Sequence, residues 1–346
     1  MRFSGILTMS LLYLTQQGTR LQKEHGRFVL SRPDRTDVAI PMTEVEQVMV
    51  FGNISLTTPT IAACLSRHIP VVFLSQSGTY RGHLWSADYD DHRAEAAQFA
   101  HRDDLGFQWA LAQAIVQGKA WNSKQLLLKL NRRRQLDTVA LAIRRIDRDL
   151  AAIDQLTATE TSLDQLRGHE GAIAAHYFPA LGQLITNDDF SLTTRVRRPP
   201  TDPVNALLSF GYMLLFNNVL SLLHLEGLNP YLGNLHRSDR HETHLAFDLM
   251  EEFRSPIVDT LVLTLLNQQV FKPDDFLPPK ANGAVYLDDT ARRRYLQAFE
   301  DRIMTTLHHP DARDPVPYRR IIQLQIRRYK ACLLDNTLYE PFRRAT

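Results

Sequence analysis

Two carboxylates lie three residues apart in the second half of the chain, at Asp248 and Glu251. Residues three apart on a helix share a face, so both side chains point the same way if 244–253 is helical. Such a pair suits a hard divalent cation, Mg²⁺ or Mn²⁺, which prefers oxygen ligands. Acidic pairs on helices are also commonly solvated, so the spacing leaves a metal site and an exposed charged face both open.

A histidine, His236, ends the connection 227–236, which contains glycine and proline. Loop residues set between rigid helices are usual positions for ligating or catalytic side chains. An ordinary surface or capping histidine is the alternative, because the chain has 13 histidines. His241 and His244 follow closely and compete with His236 for the same role, and spacing does not choose among them.

A glutamate, Glu170, follows Gly168 at the expected start of a helix over 170–178, whose small residues permit close packing. Its carboxylate is a candidate ligand. A glutamate at a helix start is also favourable with the helix dipole, which is the structural alternative. His169 and His176 flank Glu170 and are competing candidates.

The elements that must position these residues fall into two classes. Short β-branched and aromatic segments, separated by glycine and proline, predict strands at 11–15, 27–31, 38–41, 47–51, 71–75 and 80–85. The mildly apolar run 6–14 is also interpreted as a strand. One helix is expected from 58 to 65, where Thr58-Pro59 supplies a start signal. We therefore predict a small β-sandwich-like domain over residues 1–88.

Helical periodicity begins at residue 94. It predicts helices at 96–118, 123–134, 136–157, 170–178, 203–227, 244–253, 257–269, 288–307 and 318–334. The helix after Asp202-Pro203 is apolar nearly all round, which predicts a place at the centre of its domain. It is long enough to cross a bilayer, but its asparagines and His224 are costly in lipid, so we predict no membrane span. The fold class is α+β, with a larger all-α catalytic domain over 94–346.

Charge and cysteine usage restrict the class of protein. The net charge is only +2, but residues 280–346 hold 13 Lys or Arg against 8 Asp or Glu, and residues 123–150 hold 8 against 3. Such segments can neutralise phosphates, or they can be solvated helix faces. Cys64 and Cys332 lie far apart, which excludes a paired-cysteine metal site or a disulfide framework and fits a reducing cytoplasm.

Four motifs occur in an order that resembles a known family. They are Gly-His-Glu-Gly-Ala at 168–172 followed by Tyr-Phe, Arg-Arg-Pro-Pro-Thr-Asp-Pro-Val-Asn at 197–205, the loop ending in His236, and Asp-Leu-Met-Glu-Glu-Phe-Arg at 248–254. Together they resemble the CRISPR-associated integrase, the catalytic subunit of the prokaryotic spacer-acquisition complex. The segments 12–14, 40–41, 50–52 and 71–73 also resemble that family. Within 94–157 the resemblance is confined to Gln98, Lys119 and Asn122.

This resemblance implies a metal site held by Glu170, His236 and Glu251. Asp248 matches a nearby acidic position that supports the site, and Asn205 matches a structural asparagine beside the central helix. The resemblance also implies that the β domain forms a homodimer and that the protein acts with a small ferredoxin-like partner subunit. It further implies that the resulting complex inserts short double-stranded DNA fragments into a repeat array.

The chemistry agrees with this ligand set. Two carboxylates and one imidazole leave positions open on Mg²⁺ or Mn²⁺, and imidazole suits Mn²⁺ at least as well as Mg²⁺. A divalent ion would lower the pKa of an attacking 3′-hydroxyl and stabilise charge at the phosphate. Basic residues would track the DNA backbone, namely Arg195, Arg197, Arg198, Arg254 and the C-terminal arginines.

The sequence predicts a DNA integrase that joins 3′-hydroxyl ends by transesterification. The same site acting with water would give a structure-specific nuclease on branched DNA, which shares every ligand. Two further alternatives are a non-catalytic DNA-binding scaffold and a small-molecule metallohydrolase. The metallohydrolase would show no salt-dependent affinity for DNA.

Overall fold

Two β-sheets make up most of the first of the two units into which the chain divides, Met1–Asp90 and Asp91–Thr346. The computed structural model describes residues 6–8, 11–33, 35–76, 78–84, 86, 92–159, 162–236 and 242–344. The strands are β1 (Ile6–Thr8), β2 (Leu11–Leu14), β3 (Arg20–Glu24), β4 (Arg27–Arg32), β5 (Arg35–Pro41), β6 (Gln47–Phe51), β7 (Ser55–Leu56), β8 (Val71–Leu74) and β9 (Tyr80–Leu84). One helix, α1 (Thr58–Ser66), lies between β7 and β8.

The sheets have the orders β1-β2-β6-β8-β9 and β5-β4-β3-β7. In the first sheet β2, β6 and β8 run parallel to one another, and antiparallel strands close both edges. Apolar side chains from both sheets and from α1 form a shared core, including Leu14, Phe28 and Cys64. The two sheets with a common core give the β-sandwich-like arrangement that the strand pattern predicts.

The second unit is mostly helical. Its helices are α2 (His92–Ala100), α3 (Leu105–Arg134), α4 (Asp137–Gln155), α5 (Ser162–Gly182), α6 (Pro203–Leu225), α7 (His244–Met250), α8 (Thr260–Asn267), α9 (Asp289–Ile303) and α10 (Tyr318–Asp335). A short hairpin of β10 (Thr306–Leu307) and β11 (Val316–Pro317) joins α9 to α10. The predicted α+β fold class, a β unit followed by a larger helical unit, is confirmed.

The central helix α6 begins where the sequence predicts. Oδ1 of Asp202 accepts a hydrogen bond from the Asn205 backbone N–H at 2.8 Å, and Pro203 occupies the first turn. Within the described residues α6 is the helix whose length and apolarity would suit a membrane span, but 78% of its apolar window is buried inside the protein. It is therefore a core helix, as its all-round apolar pattern predicts.

Several helix boundaries differ from the prediction. The helix predicted at 96–118 is divided, because α2 ends at Ala100 and α3 begins at Leu105. The expected break between 118 and 123 is absent, because α3 runs unbroken from Leu105, where the Asp104 carboxylate caps the Phe107 N–H at 3.0 Å. The helix expected to begin at Glu170 begins at Ser162 instead, so Glu170 lies in the interior of α5. Neither 119–122 nor 163–169 contains a proline, and periodicity alone did not locate either boundary.

Close packing at Gly211 of α6 gives a testable prediction on stability. A Cβ at this position would clash with the Tyr295 hydroxyl and lie 2.6 Å from Cγ1 of Val258. We expect Gly211→Ala to lower the free energy of unfolding by about 1–3 kcal/mol, because a filled core cannot absorb a methyl group. Gly168→Ala in α5 is the control: its Cβ would meet nothing within 4 Å, and helix propensity favours it by up to about 1 kcal/mol. Urea unfolding measures both; equal effects would contradict the packing argument.

Candidate active site

Two glutamates and a lysine meet where α3, α5 and the turn after α7 come together. The ammonium of Lys119 on α3 contacts Oε1 of Glu170 on α5 and lies 2.8 Å from Oε2 of Glu251. The three side chains are largely withdrawn from solvent, with exposures of 12% for Lys119, 19% for Glu170 and 2% for Glu251. The fold thus brings Glu170 and Glu251 to one point, with a cation between them.

The backbone around Glu251 departs from the α-helix expected over 244–253, and that prediction is wrong for its last three residues. The helix α7 ends at Met250, residues 251–253 form a tight 3₁₀ turn, and residues 254–259 form wide π-type turns. Pro256 has no N–H and cannot continue an α-helical ladder at this point. Asp248 and Glu251 therefore belong to different elements and have different partners.

Asp248 is fully buried and holds the loop that carries His236. Its carboxylate accepts hydrogen bonds from the backbone N–H groups of Asn234 (2.6 Å), Leu235 (2.9 Å) and His236 (3.1 Å), and it lies 2.7 Å from Nδ1 of His236. Gly233 makes the close approach possible, since a Cβ there would be 2.6 Å from Cβ of His244. Through these four contacts Asp248 positions the loop and the ring of His236. They also turn Nε2 of His236 away from Asp248.

The carboxylate–histidine pair has an electrostatic consequence. Burial lowers the pKa of His236, but the hydrogen bond and negative charge of Asp248, together with the charge of Glu251, outweigh burial and raise it. A carboxylate on Nδ1 fixes the ring orientation and makes Nε2 the available nitrogen, which is the usual arrangement behind a metal-bound histidine.

Glu251 is held ionised by its neighbours. Burial raises the pKa of its carboxyl group, but the positive charges of Arg254 and Lys119 outweigh burial and lower it to about 2. Arg254 contributes an ion pair of 2.9 Å to Oε1. The charge of His236 acts in the same direction, which places His236 within electrostatic reach of Glu251.

Asn205 has a structural position. Its amide donates hydrogen bonds to the Thr194 carbonyl (3.0 Å) and to Asp202, and its Oδ1 accepts from Nη1 of Arg195 (2.7 Å) and from the Val196 N–H (3.0 Å). Asn205 therefore fastens the segment 194–196 to the start of α6, which is the type of role that the sequence predicts for it.

The four arginines proposed from sequence as DNA contacts divide into two pairs. The guanidinium groups of Arg195 and Arg254 lie over the ring of Tyr212 at 5.3 and 5.0 Å, and both side chains have protein partners. Arg197 and Arg198 are exposed, Arg198 with 77% of its side chain in solvent. Only the second pair presents guanidinium groups to the surface.

The competing histidines have other surroundings. His169 lies with Nδ1 2.9 Å from Oδ1 of Asp149 on α4, and His176 is half-buried on α5. His244 is buried at the start of α7, and His236 and His244 are among the residues that line a cavity of about 410 Å³. His241 lies outside the described residues.

Three polar residues of α2 and α3 support the site, and local sequence reasoning gave them no role. Lys119 bridges the glutamates, Asn122 donates to the Glu252 carbonyl at 2.9 Å, and Gln98 exchanges hydrogen bonds with the backbone of Asn229. All three belong to the few positions in 94–157 that carry the family resemblance. That resemblance was the available signal, because none of them stands out by spacing.

The donors suit a divalent ion, although within the described ranges no group of three His, Cys, Asp or Glu side chains is arranged to hold a metal as it stands. Oε2 of Glu251 is buried and accepts no well-aligned hydrogen bond, even with the Lys119 ammonium 2.8 Å away. A buried carboxylate oxygen without an aligned donor is costly unless a cation meets it, and the Lys119 ammonium is the cation that faces it in this structure. Glu170, Glu251 and Nε2 of His236 are the donors that could hold a divalent ion in its place.

Known proteins are similar to this chain in sequence and in fold. The family model described as CRISPR associated protein Cas1 matches residues 12–301. A curated relative from Thermus thermophilus, CRISPR-associated endonuclease Cas1 1, is 37% identical over 96% of this chain and 98% of its own length. A casposase bound to integration product has the same fold, with a TM-score of 0.81, 20% identity and coverage of 97% of this chain and 94% of that chain.

A second solved structure, a Cas6-RT-Cas1–Cas2 complex, matches with a TM-score of 0.79 at 23% identity and covers 98% of this chain and 36% of that chain. The family model spans most of the sequence, and the Thermus relative matches it nearly end to end. The chain therefore belongs to the CRISPR associated protein Cas1 family, which includes the Thermus endonuclease.

Proposed function

We propose that this protein is a metal-dependent DNA endonuclease and integrase of CRISPR adaptation, which joins the 3′-hydroxyl ends of short DNA fragments to a repeat array. The observation that carries the proposal is the meeting of Glu170 and Glu251 at one buried point, with His236 oriented by Asp248 within electrostatic reach. Each residue comes from a motif that carries the family resemblance, and the family itself is established.

Glu170, Glu251 and Nε2 of His236 would hold Mg²⁺ or Mn²⁺, which would supply charge stabilisation at the phosphate and acidify the attacking hydroxyl. Arg254 keeps Glu251 ionised and fixes one of its oxygens, so its carboxylate is preorganised. Asp248 fixes the ring of His236. The low pKa of Glu251 keeps it ionised at any pH near neutrality.

The proposed substrate is double-stranded DNA. Arg197 and Arg198 are the exposed members of the arginine set, and we assign them to phosphate contacts; Arg195 and Arg254 stiffen the site around Tyr212. By its name, the casposase relative was captured with an integration product. A related fold with an integration product supports strand transfer over simple hydrolysis as the main reaction of this chain.

The proposal includes the partners that the resemblance implies. They are a second copy of this chain, paired through the β unit, and a small ferredoxin-like subunit. The solved Cas6-RT-Cas1–Cas2 complex combines, by its name, a Cas1 part with Cas2, which supports a Cas2-type partner. We place the assembly in the prokaryotic cytoplasm, where a chromosomal repeat array lies.

A strand-transfer assay tests this function. The protein and its partner subunit are incubated with Mg²⁺ or Mn²⁺, a labelled duplex with free 3′-hydroxyls and a plasmid that bears the repeat. We expect the label to become covalently attached to the plasmid. Cleaved but unjoined DNA would instead support the runner-up, a structure-specific nuclease on branched DNA, and would overturn the integrase assignment.

The position of Asp248 gives a quantitative prediction. Asp248→Asn keeps the size but replaces one carboxylate oxygen by an NH₂ that faces backbone N–H donors. We expect the affinity for Mn²⁺ to fall about 10–100-fold, as for other carboxylates behind a ligating histidine. Isothermal titration calorimetry measures the change. Asp149→Asn is the matched control at the His169 pair, and an equal loss there would contradict a specific role for Asp248.

A further inference from the structure

Lys119 occupies an unusual position for a lysine. Its ammonium lies between two carboxylates from different elements, and only 12% of its side chain is exposed. Lysines are seldom buried unless paired, because the compact ammonium is strongly hydrated. The pairing with two glutamates offsets the loss of hydration and explains how the fold tolerates this lysine.

The helix that carries Lys119 holds it firmly. The next residue, Ala120, is 1% exposed, and Asn122 one turn further on is fixed by hydrogen bonds to the carbonyls of Glu252 and Phe342 at 2.9 and 2.8 Å. A rigid part of α3 therefore holds the ammonium against the glutamates. A surface lysine that swings in by chance would have no such support.

Without a cation, Glu170 and Glu251 would repel each other. Like charges a few ångströms apart in a partly buried site interact strongly, since water screens them poorly. The ammonium supplies the balancing charge in this structure. Lys119 thus does before metal binding what the proposed divalent ion would do afterwards.

The ammonium and a metal ion compete for the same oxygen. Of the two Glu251 oxygens, Oε2 faces the ammonium, yet it accepts no well-aligned hydrogen bond, so it is the Glu251 oxygen most available to a metal. Arg254 takes the other oxygen, Oε1. An ion that binds Oε2 must move the ammonium away.

We propose that Lys119 is a positioning residue and resident cation: it holds Glu170 and Glu251 together before metal binding, and a divalent ion must displace it to enter. This inference rests on the proposed metal site, and it adds that Lys119 competes with the metal ion for that site. It predicts that Glu170 and Glu251 stay together in the metal-free protein. It also predicts that the affinity for a divalent ion is lower than it would be without Lys119.

The test measures Mn²⁺ binding by calorimetry, together with thermal unfolding without metal, for the wild type, Lys119→Met, Lys119→Gln and Lys119→Arg. We expect the two neutral variants to bind Mn²⁺ about tenfold tighter or more, since one unit of competing charge is removed. Without metal they should unfold at a lower temperature, and Mn²⁺ should raise that temperature more than in the wild type. Lys119→Arg keeps the charge and should bind Mn²⁺ within about threefold of the wild type.

Lys124→Met is the matched control. Lys124 lies on the same helix with 14% of its side chain exposed, and it pairs with Asp147 at 2.7 Å, away from the glutamates. It should leave Mn²⁺ affinity unchanged. Unchanged or weaker Mn²⁺ binding in a folded neutral Lys119 variant would overturn the inference while leaving the metal site intact. No Mn²⁺ binding by the wild type or by any variant would overturn the proposed metal site itself.

Discussion

His236→Ala is expected to slow DNA cleavage and strand joining by about a thousandfold or more, with DNA affinity within about threefold of the wild type. The substitution removes the one nitrogen donor of the proposed metal site, whereas the exposed arginines assigned to phosphate contacts are untouched. Glu170→Gln should have a similar effect, because it removes a charged oxygen donor at nearly constant size. Single-turnover rates and a filter-binding isotherm at fixed salt measure the two quantities.

His169→Ala is the matched control for this prediction. His169 also lies beside an aspartate, Asp149, at a distance close to that between His236 and Asp248, 2.9 against 2.7 Å. Its ring serves a contact between α4 and α5, so activity should be retained. Equal losses in His169→Ala and His236→Ala would mean that the effect reports general damage to the fold.

Glu252→Ala is expected to lower the free energy of unfolding by about 3 kcal/mol or more, because it removes an acceptor shared by three buried donors and leaves the Tyr339 hydroxyl and the Phe342 N–H without one. The buried Glu252 carboxylate accepts hydrogen bonds from the Tyr339 hydroxyl (2.7 Å), the Phe342 N–H (2.5 Å) and the Gln325 amide (3.2 Å). Tyr339 and Phe342 belong to the segment after α10, so Glu252 fastens the C-terminal segment beside Glu251. Urea unfolding of the full chain measures the loss.

Two milder variants separate the contributions at Glu252. Tyr339→Phe removes one of the three hydrogen bonds and should cost about 1 kcal/mol. Glu252→Gln keeps an acceptor oxygen and should cost less than the alanine variant. An unfolding free energy for Glu252→Ala within about 0.5 kcal/mol of the wild type would contradict this account of the C-terminal segment.

The same carboxyl group predicts a pH dependence. Burial raises the pKa of Glu252 from 4.5 to about 7, although its three hydrogen-bond donors act in the opposite direction. The folded state therefore binds this proton more tightly than the unfolded state, so the contribution to stability is greatest below pH 4.5 and is lost between pH 4.5 and 7. Relative to Glu252→Gln, the wild type should lose about 3 kcal/mol across that window. A difference that stays constant with pH would contradict the raised pKa.

Periodicity and capping signals locate much of the fold. Asp202-Pro203 marks the start of α6, and the alternation of β-branched segments with turns marks most of the strands. The strands β3 and β7 were not predicted, because Arg20–Glu24 is largely polar and Ser55–Leu56 is only two residues long. Both are recognisable as strands from their pairing across the chain, which local composition does not encode.

The candidate site was less accessible to local reasoning. The spacing of the acidic residues gives Asp248 and Glu251 the same predicted role. Their roles differ because α7 ends at Met250 and backbone donors of the 234–236 loop surround Asp248. Those are long-range contacts, which motif order reflects and helical periodicity does not. Lys119 was predicted as a family position without a role, since its two partners are distant in sequence. The ligand set itself stays a prediction.

The most direct test of that ligand set is pulsed electron paramagnetic resonance of the Mn²⁺-loaded protein, which detects a nitrogen nucleus bound to the metal. We predict a coupling from one imidazole nitrogen that is present in the wild type and in His169→Ala and absent in His236→Ala. A nitrogen coupling that persists in His236→Ala, or a wild type that binds Mn²⁺ without any nitrogen coupling, would contradict a site built from Glu170, His236 and Glu251.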